Sequence, residues 1–293
     1  MIRSILDDWQ AFWFKPQPAG QLLFARVGVC IACLLWLVSW WMELSFWFGQ
    51  SGVLSREVAA QFVAYEGLSR WQLWSPLWWT DSLWLFRAWV GVGFVLTALV
   101  AAGIGGRFAV LALILCVIGL AHRMSWLIGP VEPALVAFLG YLAVQPGPSI
   151  QDSESRKQES SWAGASLRLL QTHVWILIAA GVITQLASVR WWRGDAIWWL
   201  ASAGRSNLLT LEHLVDRAYL VNALTHGMIV LQFLTLWLLL IRSTRWIGIG
   251  LGVAWCLALA FLADYALYGT ILLGGLLAFV PIKVGEFKST PDA

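Results

Sequence analysis

The chain has 293 residues, 60% of them hydrophobic and only 12% charged, with a formal net charge of +3. A soluble domain carries about a quarter charged residues, so this balance points to a polytopic membrane protein. The small positive charge and the absence of any basic run exclude a nucleic-acid surface that tracks phosphates.

In residues 1–14, Ile2, Leu6, Trp9 and Trp13 recur at helical spacing. This predicts an amphipathic helix lying on the membrane. The segment also holds Asp7 and Asp8 and lacks an apolar core followed by small residues, so no cleavable signal is expected. Lys15-Pro16-Gln17-Pro18 ends the helix, because proline cannot continue one past its first turn.

A membrane-crossing helix needs about 20 mostly apolar residues. By that measure the spans are 21–43, 83–104, 107–126, 132–146, 166–188, 219–241, 245–263 and 265–282. The predicted fold is therefore all-α: a polytopic bundle of about eight transmembrane helices with short interfacial helices. Residues 1–19 form the interfacial helix and linker, 20–282 one transmembrane domain, and 283–293 a tail. Cys30 and Cys33 make a C-x-x-C inside an apolar helix and read as packing residues. Asp264 separates the last two spans, where a structural hydrogen bond is the expected role.

With a cytoplasmic N-terminus, ten Lys and Arg fall on the inner side and seven on the outer. That excess favours this orientation in a cell (inner) membrane. Arg26, six residues into the first span, either snorkels to the inner headgroups or pairs inside the bundle. Arg87 is expected to snorkel. Residues 147–165 are polar and read as a mobile inner loop.

The outer connections are rich in tryptophan: Trp47, Trp71, Trp74, Trp78 and Trp79 in the first, Trp191, Trp192, Trp198 and Trp199 in the second. Leu54, Val58 and Phe62, and likewise Leu208, Leu211 and Val215, lie on single helical faces and predict interfacial helices. The collar is either an aromatic belt that fixes depth or the mouth of a lipophilic site.

Residues 181–200 organise the chain: there an apolar span opens into a Trp- and Arg-rich segment, which hydrocarbon tolerates only beside protein or a water-filled cavity. On the same side lie His122, Arg123 and Glu132. They are either edge charges or a polar cluster with Arg193, in which Arg123 and Arg193 bind an anion and Glu132 and His122 move protons. No H-x-x-x-H or H-E-x-x-H spacing occurs, which argues against a zinc site.

Several motifs resemble those of one membrane family. Leu23-Phe24-Ala25-Arg26-Val27-Gly28 is similar to the F-R-x-G opening of the horizontally transferred transmembrane (HTTM) domain, whose superfamily includes vitamin K-dependent gamma-carboxylase. The stretch from Phe48 to Arg56 resembles its G-V-L-S segment, and Gly105-Gly106-Arg107 its G-x-R turn. Arg123-Met124-Ser125-Trp126 resembles the close of span three, and the run from Pro146 to Asp152 the exit of span four. Trp191-Trp192-Arg193-Gly194-Asp195-Ala196 resembles its W-x-x-G-x-A.

The resemblance implies a multi-helix membrane fold with a pocket on the outer or lumenal side. In the carboxylase a lysine ahead of W-x-x-G is the base that starts vitamin K oxygenation. Here Gln185 stands nearest that place, and no lysine occurs between Lys157 and Lys283. An amide cannot act as that base, and no counterpart of the carboxylase's large non-membrane region is recognised. The resemblance thus implies binding of a quinone or other lipophilic molecule by Gln185, Trp191, Arg193, Arg123, Glu132 and His122, rather than glutamate carboxylation. The alternative is a non-catalytic partner or assembly protein that binds lipid or another subunit through the tryptophan face.

Overall fold

A computed structural model describes residues 2–18, 20–48, 52–67, 73–145, 159–203 and 211–280. Trp71, Leu208, the span-four exit motif, most of the polar inner loop and the C-terminal tail lie outside the described residues. The chain divides into two compact units, Met1–Ser166 and Leu167–Ala293.

The first unit begins with helix α1, Ile2–Phe14. Its last turns expose Trp9, Phe12 and Phe14. Gln17–Pro18 then pairs antiparallel with Glu159–Ser160, the one strand pairing among the described residues. Four apolar helices follow: α2, Gly20–Trp47; α4, Leu83–Ala102; α5, Gly106–Arg123; and α6, Val131–Val144. The short α3, Arg56–Tyr65, intervenes and is capped by the Ser55 side chain. α2 packs on α4 and α6, and α5 packs on the same two, which closes the four into a ring.

The second unit takes most of α7, Ser161–Ala187, then the short α8, Val189–Arg193, α9, Ala196–Ser202, and α10, Leu211–Leu214. Two long helices follow, α11, Ala218–Leu240, and α12, Arg245–Leu262, and then α13, Ala266–Leu276. A Cβ on Gly248 would lie 2.8 Å from the Leu239 nitrogen, so the α11 and α12 backbones nearly touch there. Such close approach at small residues is how helices associate in lipid, where burying apolar surface supplies no drive.

Among the described residues, six helices are long and apolar enough to cross a membrane: Gly20–Trp47, Leu83–Ala102, Gly106–Arg123, Ser161–Ala187, Ala218–Leu240 and Arg245–Leu262. Val131–Val144 and Ala266–Phe279 are shorter apolar helices. Their outward faces are apolar too: Val92 and Val95 on α4, and Val230, Phe233 and Trp237 on α11, are exposed. Large exposed apolar surface of this kind suits a hydrocarbon solvent rather than water.

Several expectations change in detail. On α3 the buried face is Ala59 and Val63, while Phe62 is exposed. On α10 it is Leu214, with Leu211 and Val215 outside. The start of α7 takes in residues 161–165 of the predicted loop. Ser166 anchors that region by donating to the Tyr141 carbonyl at 2.7 Å. Arg26 is fully buried and does not snorkel, whereas Arg87 is exposed. All four cysteines are free and buried.

Candidate functional site

Three of the predicted site residues lie in each unit: His122, Arg123 and Glu132 in the first, Gln185, Trp191 and Arg193 in the second.

In the first unit the local backbone prepares a place for Arg123. After α2 the chain turns sharply at Gly52, where a Cβ would sit 2.6 Å from the Phe48 carbonyl carbon. The turn is closed by Leu54 N–H donating to the Trp47 carbonyl at 2.8 Å. Across the ring, Ser75 donates to the Gly119 carbonyl on α5. That bond seats the 3₁₀ turn Pro76–Trp79 against the helix end. The Trp78 indole N–H donates to the Leu73 carbonyl at 2.7 Å, which fixes the ring.

Arg123, fully buried, fills the resulting space. Its guanidinium lies 5.7 Å from the Phe48 ring centre, 5.4 Å from Trp78 and 5.8 Å from Phe86. Phe48 and Phe86 are themselves stacked at 4.1 Å. Nη2 donates to the Leu54 carbonyl at 3.2 Å and meets Asp81 Oδ1 at 3.5 Å. Asp81 also accepts from Arg56 N–H at 2.8 Å. A cation faced by three aromatic rings, a carbonyl and a carboxylate has replaced its hydration with fixed partners. Arg123 therefore ties the start of α3 and the tryptophan turn to the end of α5.

His122 Nδ1 lies 3.0 Å from the Trp74 carbonyl. A carbonyl only accepts, so Nδ1 is the donor in this contact. Glu132, in the first turn of α6, accepts from the Trp36 indole at 3.0 Å and from Gly129 N–H at 3.0 Å. A carboxylate there also complements the helix N-terminus. Glu132→Ala leaves the buried Trp36 N–H without its acceptor. It should lower unfolding stability by about 1.5 kcal/mol, with Glu132→Gln losing less; the midpoint in denaturant, read by circular dichroism, checks this.

In the second unit α7 ends at Ala187, and α8 then runs only from Val189 to Arg193. Gly194 closes it at φ 76°, with Gly194 N–H donating to the Trp191 carbonyl and Asp195 N–H to the Arg190 carbonyl. Glycine adopts this left-handed geometry without Cβ strain. The Trp192 indole donates to the Leu186 carbonyl, one of the free acceptors at the end of α7.

The segment is pinned to α11 by two bonds. Ile197 N–H donates to Thr225 Oγ1 at 3.2 Å, and Asn222 Nδ2 to the Arg193 carbonyl at 3.4 Å. A Cβ on Gly194 would strike the Asn222 amide and push it off the Arg193 carbonyl.

The reversal leaves a hollow of about 590 Å³ lined by Arg193, Gly194, Asp195, Trp198, Leu214, Val215, Asp216, Ala218, Val221 and Asn222. Asp195 Oδ1 is buried without a hydrogen-bond partner. A second hollow, of about 360 Å³, is lined by Arg190, Trp191 and Trp199 among others. Arg190 lies 4.2 Å from the Trp199 ring centre, a cation–π contact. Gln185 is buried, and its Oε1 has no partner. It is not among the residues lining either hollow.

The structure thus joins Arg193 to Asp195, Trp198 and Asn222, none of which the sequence reading placed in the site. Asp195 had a signal: it follows the Gly194 turn directly. Asn222 had none, because its partner is a main-chain carbonyl 29 residues away. The arginine cage residues Phe48, Asp81 and Phe86 were equally unannounced, since an aromatic residue in an apolar chain does not declare a cation. Comparison with family models, with curated proteins and with solved structures finds no match to this chain.

Proposed function

We propose that this protein is a multi-pass membrane protein of the HTTM, gamma-carboxylase-like kind, N-terminus cytoplasmic, that holds a lipophilic, quinone-like molecule in an outward-facing hollow beside Gly194. The carrying observation is that hollow: about 590 Å³, mostly apolar, with Arg193, Asp195 and Asn222 as its convergent polar groups. Ligand sites have this size and make-up. One ring oxygen of a hydroquinone can accept from the Arg193 guanidinium. The other can donate to the carboxylate of Asp195, which lines the hollow. Trp198, Leu214 and Val221 supply an apolar wall for the ring and tail.

Two local features involve the segments on which that resemblance rests. The Leu54 carbonyl of the G-V-L-S segment accepts from Arg123 of the R-M-S-W segment, across 69 residues of sequence. Gly194 of the W-x-x-G segment adopts the left-handed turn that favours glycine.

A diazirine-tagged hydroquinone, kept reduced, tests the reading. Photolabelled peptides should cover residues 189–203 and 214–222, and excess untagged hydroquinone should abolish the labelling. Labelling spread over the lipid-facing helices and indifferent to competitor would contradict it.

The second reading is a non-catalytic partner or assembly protein. It is favoured by the exposure of Trp79 and Trp84 in the first unit and of Trp192 in the second, each above 60%. A subunit that stays bound through purification, with no lipophilic molecule present, would favour that reading.

A further inference from the structure

A second site is built where the chain reverses, and it shares no lining residue with the hollow assigned to the lipophilic molecule. α7 ends at Ala187, and the Ser188 carbonyl accepts from the Trp191 and Trp192 N–H groups at 3.2 and 3.3 Å. α8 therefore starts at once and carries Arg190 and Trp191 past the end of the span. The left-handed turn at Gly194 then sends the chain into α9. Across that turn Asp195 N–H donates to the Arg190 carbonyl at 3.1 Å, and Trp199 N–H donates to the Asp195 carbonyl at 3.2 Å. Those two bonds tie the backbone of Arg190 to that of Trp199. The bond from Ile197 N–H to Thr225 holds α9 in place.

The side chains meet across the turn. The Arg190 guanidinium lies 4.2 Å from the Trp199 ring centre, closer than Arg123 stands to any of its three rings. At that distance the cation rests on the indole face. Its N–H donors lie in its own plane, so a ring on one face leaves the edge of the fork open to an oxyanion. Both residues border the hollow of about 360 Å³, with Ser188, Trp191 and Leu200 beside them. The polar side chains there are a guanidinium, a hydroxyl and two indoles, every one able to donate. Asp195, the nearest acid in sequence, lines the other hollow.

We propose that the hollow beside Arg190 and Trp199 binds the phosphate of an anionic phospholipid, in the leaflet that meets the end of α7. The guanidinium fork matches two phosphate oxygens, and the Ser188 hydroxyl offers a further donor. The lipid source follows from the setting. The last turns of α7 expose Ile183 and Leu186, three residues apart on one face, and Leu186 stands two residues ahead of Ser188. An acyl chain therefore has an apolar track below the hollow, which free phosphate cannot use. The exposed Trp192 sets this turn at the headgroup level, where indoles settle. The assignment rests on the membrane reading and not on the quinone, so either can fail alone.

The test is native mass spectrometry of the whole protein in mild detergent, offered phosphatidylglycerol, phosphatidylcholine or inorganic phosphate. Phosphatidylglycerol should be retained in preference to phosphatidylcholine, whose own cation faces Arg190. Retention of phosphatidylglycerol should fall about fivefold in Arg190→Gln. It should fall about threefold in Trp199→Leu, which removes the ring that holds the fork. Arg107→Gln, at an exposed arginine of the first unit, should leave it unchanged. Arg190→Lys, which keeps the charge without the fork, should retain more than Arg190→Gln and so separates recognition from misfolding. Equal retention of the two lipids, or undiminished phosphatidylglycerol in Arg190→Gln, would overturn the proposal. Binding of inorganic phosphate without retained lipid would overturn the lipid assignment.

Discussion

Arg123→Ala is expected to destabilise the first unit by about 3 kcal/mol, the lower end of the range for breaking a buried charge pair. The lower end applies because Asp81 keeps 35% of its side chain exposed and is partly solvated without its partner. What the variant loses is a cation 5.4 to 5.8 Å from three ring centres, together with the donor to the Leu54 carbonyl. The alanine also leaves a void among Phe48, Trp78 and Phe86. Arg123→Lys keeps the charge but not the planar fork, and should cost about 1–2 kcal/mol. Unfolding of purified protein in mild detergent, followed by circular dichroism, measures both. An unchanged midpoint for Arg123→Ala would show that the cage does not hold the unit together.

The second large effect is expected at Gly52. Its missing Cβ would meet the Phe48 carbonyl carbon, nitrogen and oxygen at 2.6 to 2.8 Å. Main chain cannot swing aside as a side-chain tip can. Gly52→Ala should therefore cost about 2–3 kcal/mol, the upper part of the range for overpacking. The turn it disrupts presents both the Phe48 ring and the Leu54 carbonyl to Arg123. The Gly52→Ala and Arg123→Ala losses should then add to less than their sum, because either change dismantles the same contacts. Full additivity, measured as above, would place the two residues in independent structures.

The long helices were legible because an apolar run of span length permits little else. The predicted 83–104, 219–241 and 245–263 correspond to helices Leu83–Ala102, Ala218–Leu240 and Arg245–Leu262. The first helix outruns its prediction and reaches Trp47. Glu43 is accommodated there by the Trp47 indole one turn on, at 2.7 Å.

Faces were harder to read than lengths. On α3 the large Phe62 points outward and the small Ala59 inward, the reverse of the pattern in water. In lipid a bulky apolar residue loses nothing by facing out, and small residues allow close packing. Hydrophobic periodicity therefore marks the helix without marking its buried side. Arg123 and Arg193 were identifiable as costly charges beside hydrocarbon. Their partners were not, because they are a carbonyl, aromatic faces and an amide supplied from distant segments.

The central claim is that the reversal at Gly194 shapes a hollow for a lipophilic molecule held by Arg193 and Asp195. Mass spectrometry of the lipophilic molecules that co-purify with the protein in mild detergent tests it most directly. The wild type should carry a quinone or comparable ring-bearing molecule, and Arg193→Ala, lacking one charged hydrogen bond, should carry about tenfold less. A wild type free of any such molecule, or an Arg193→Ala variant that retains it in full, would contradict the account.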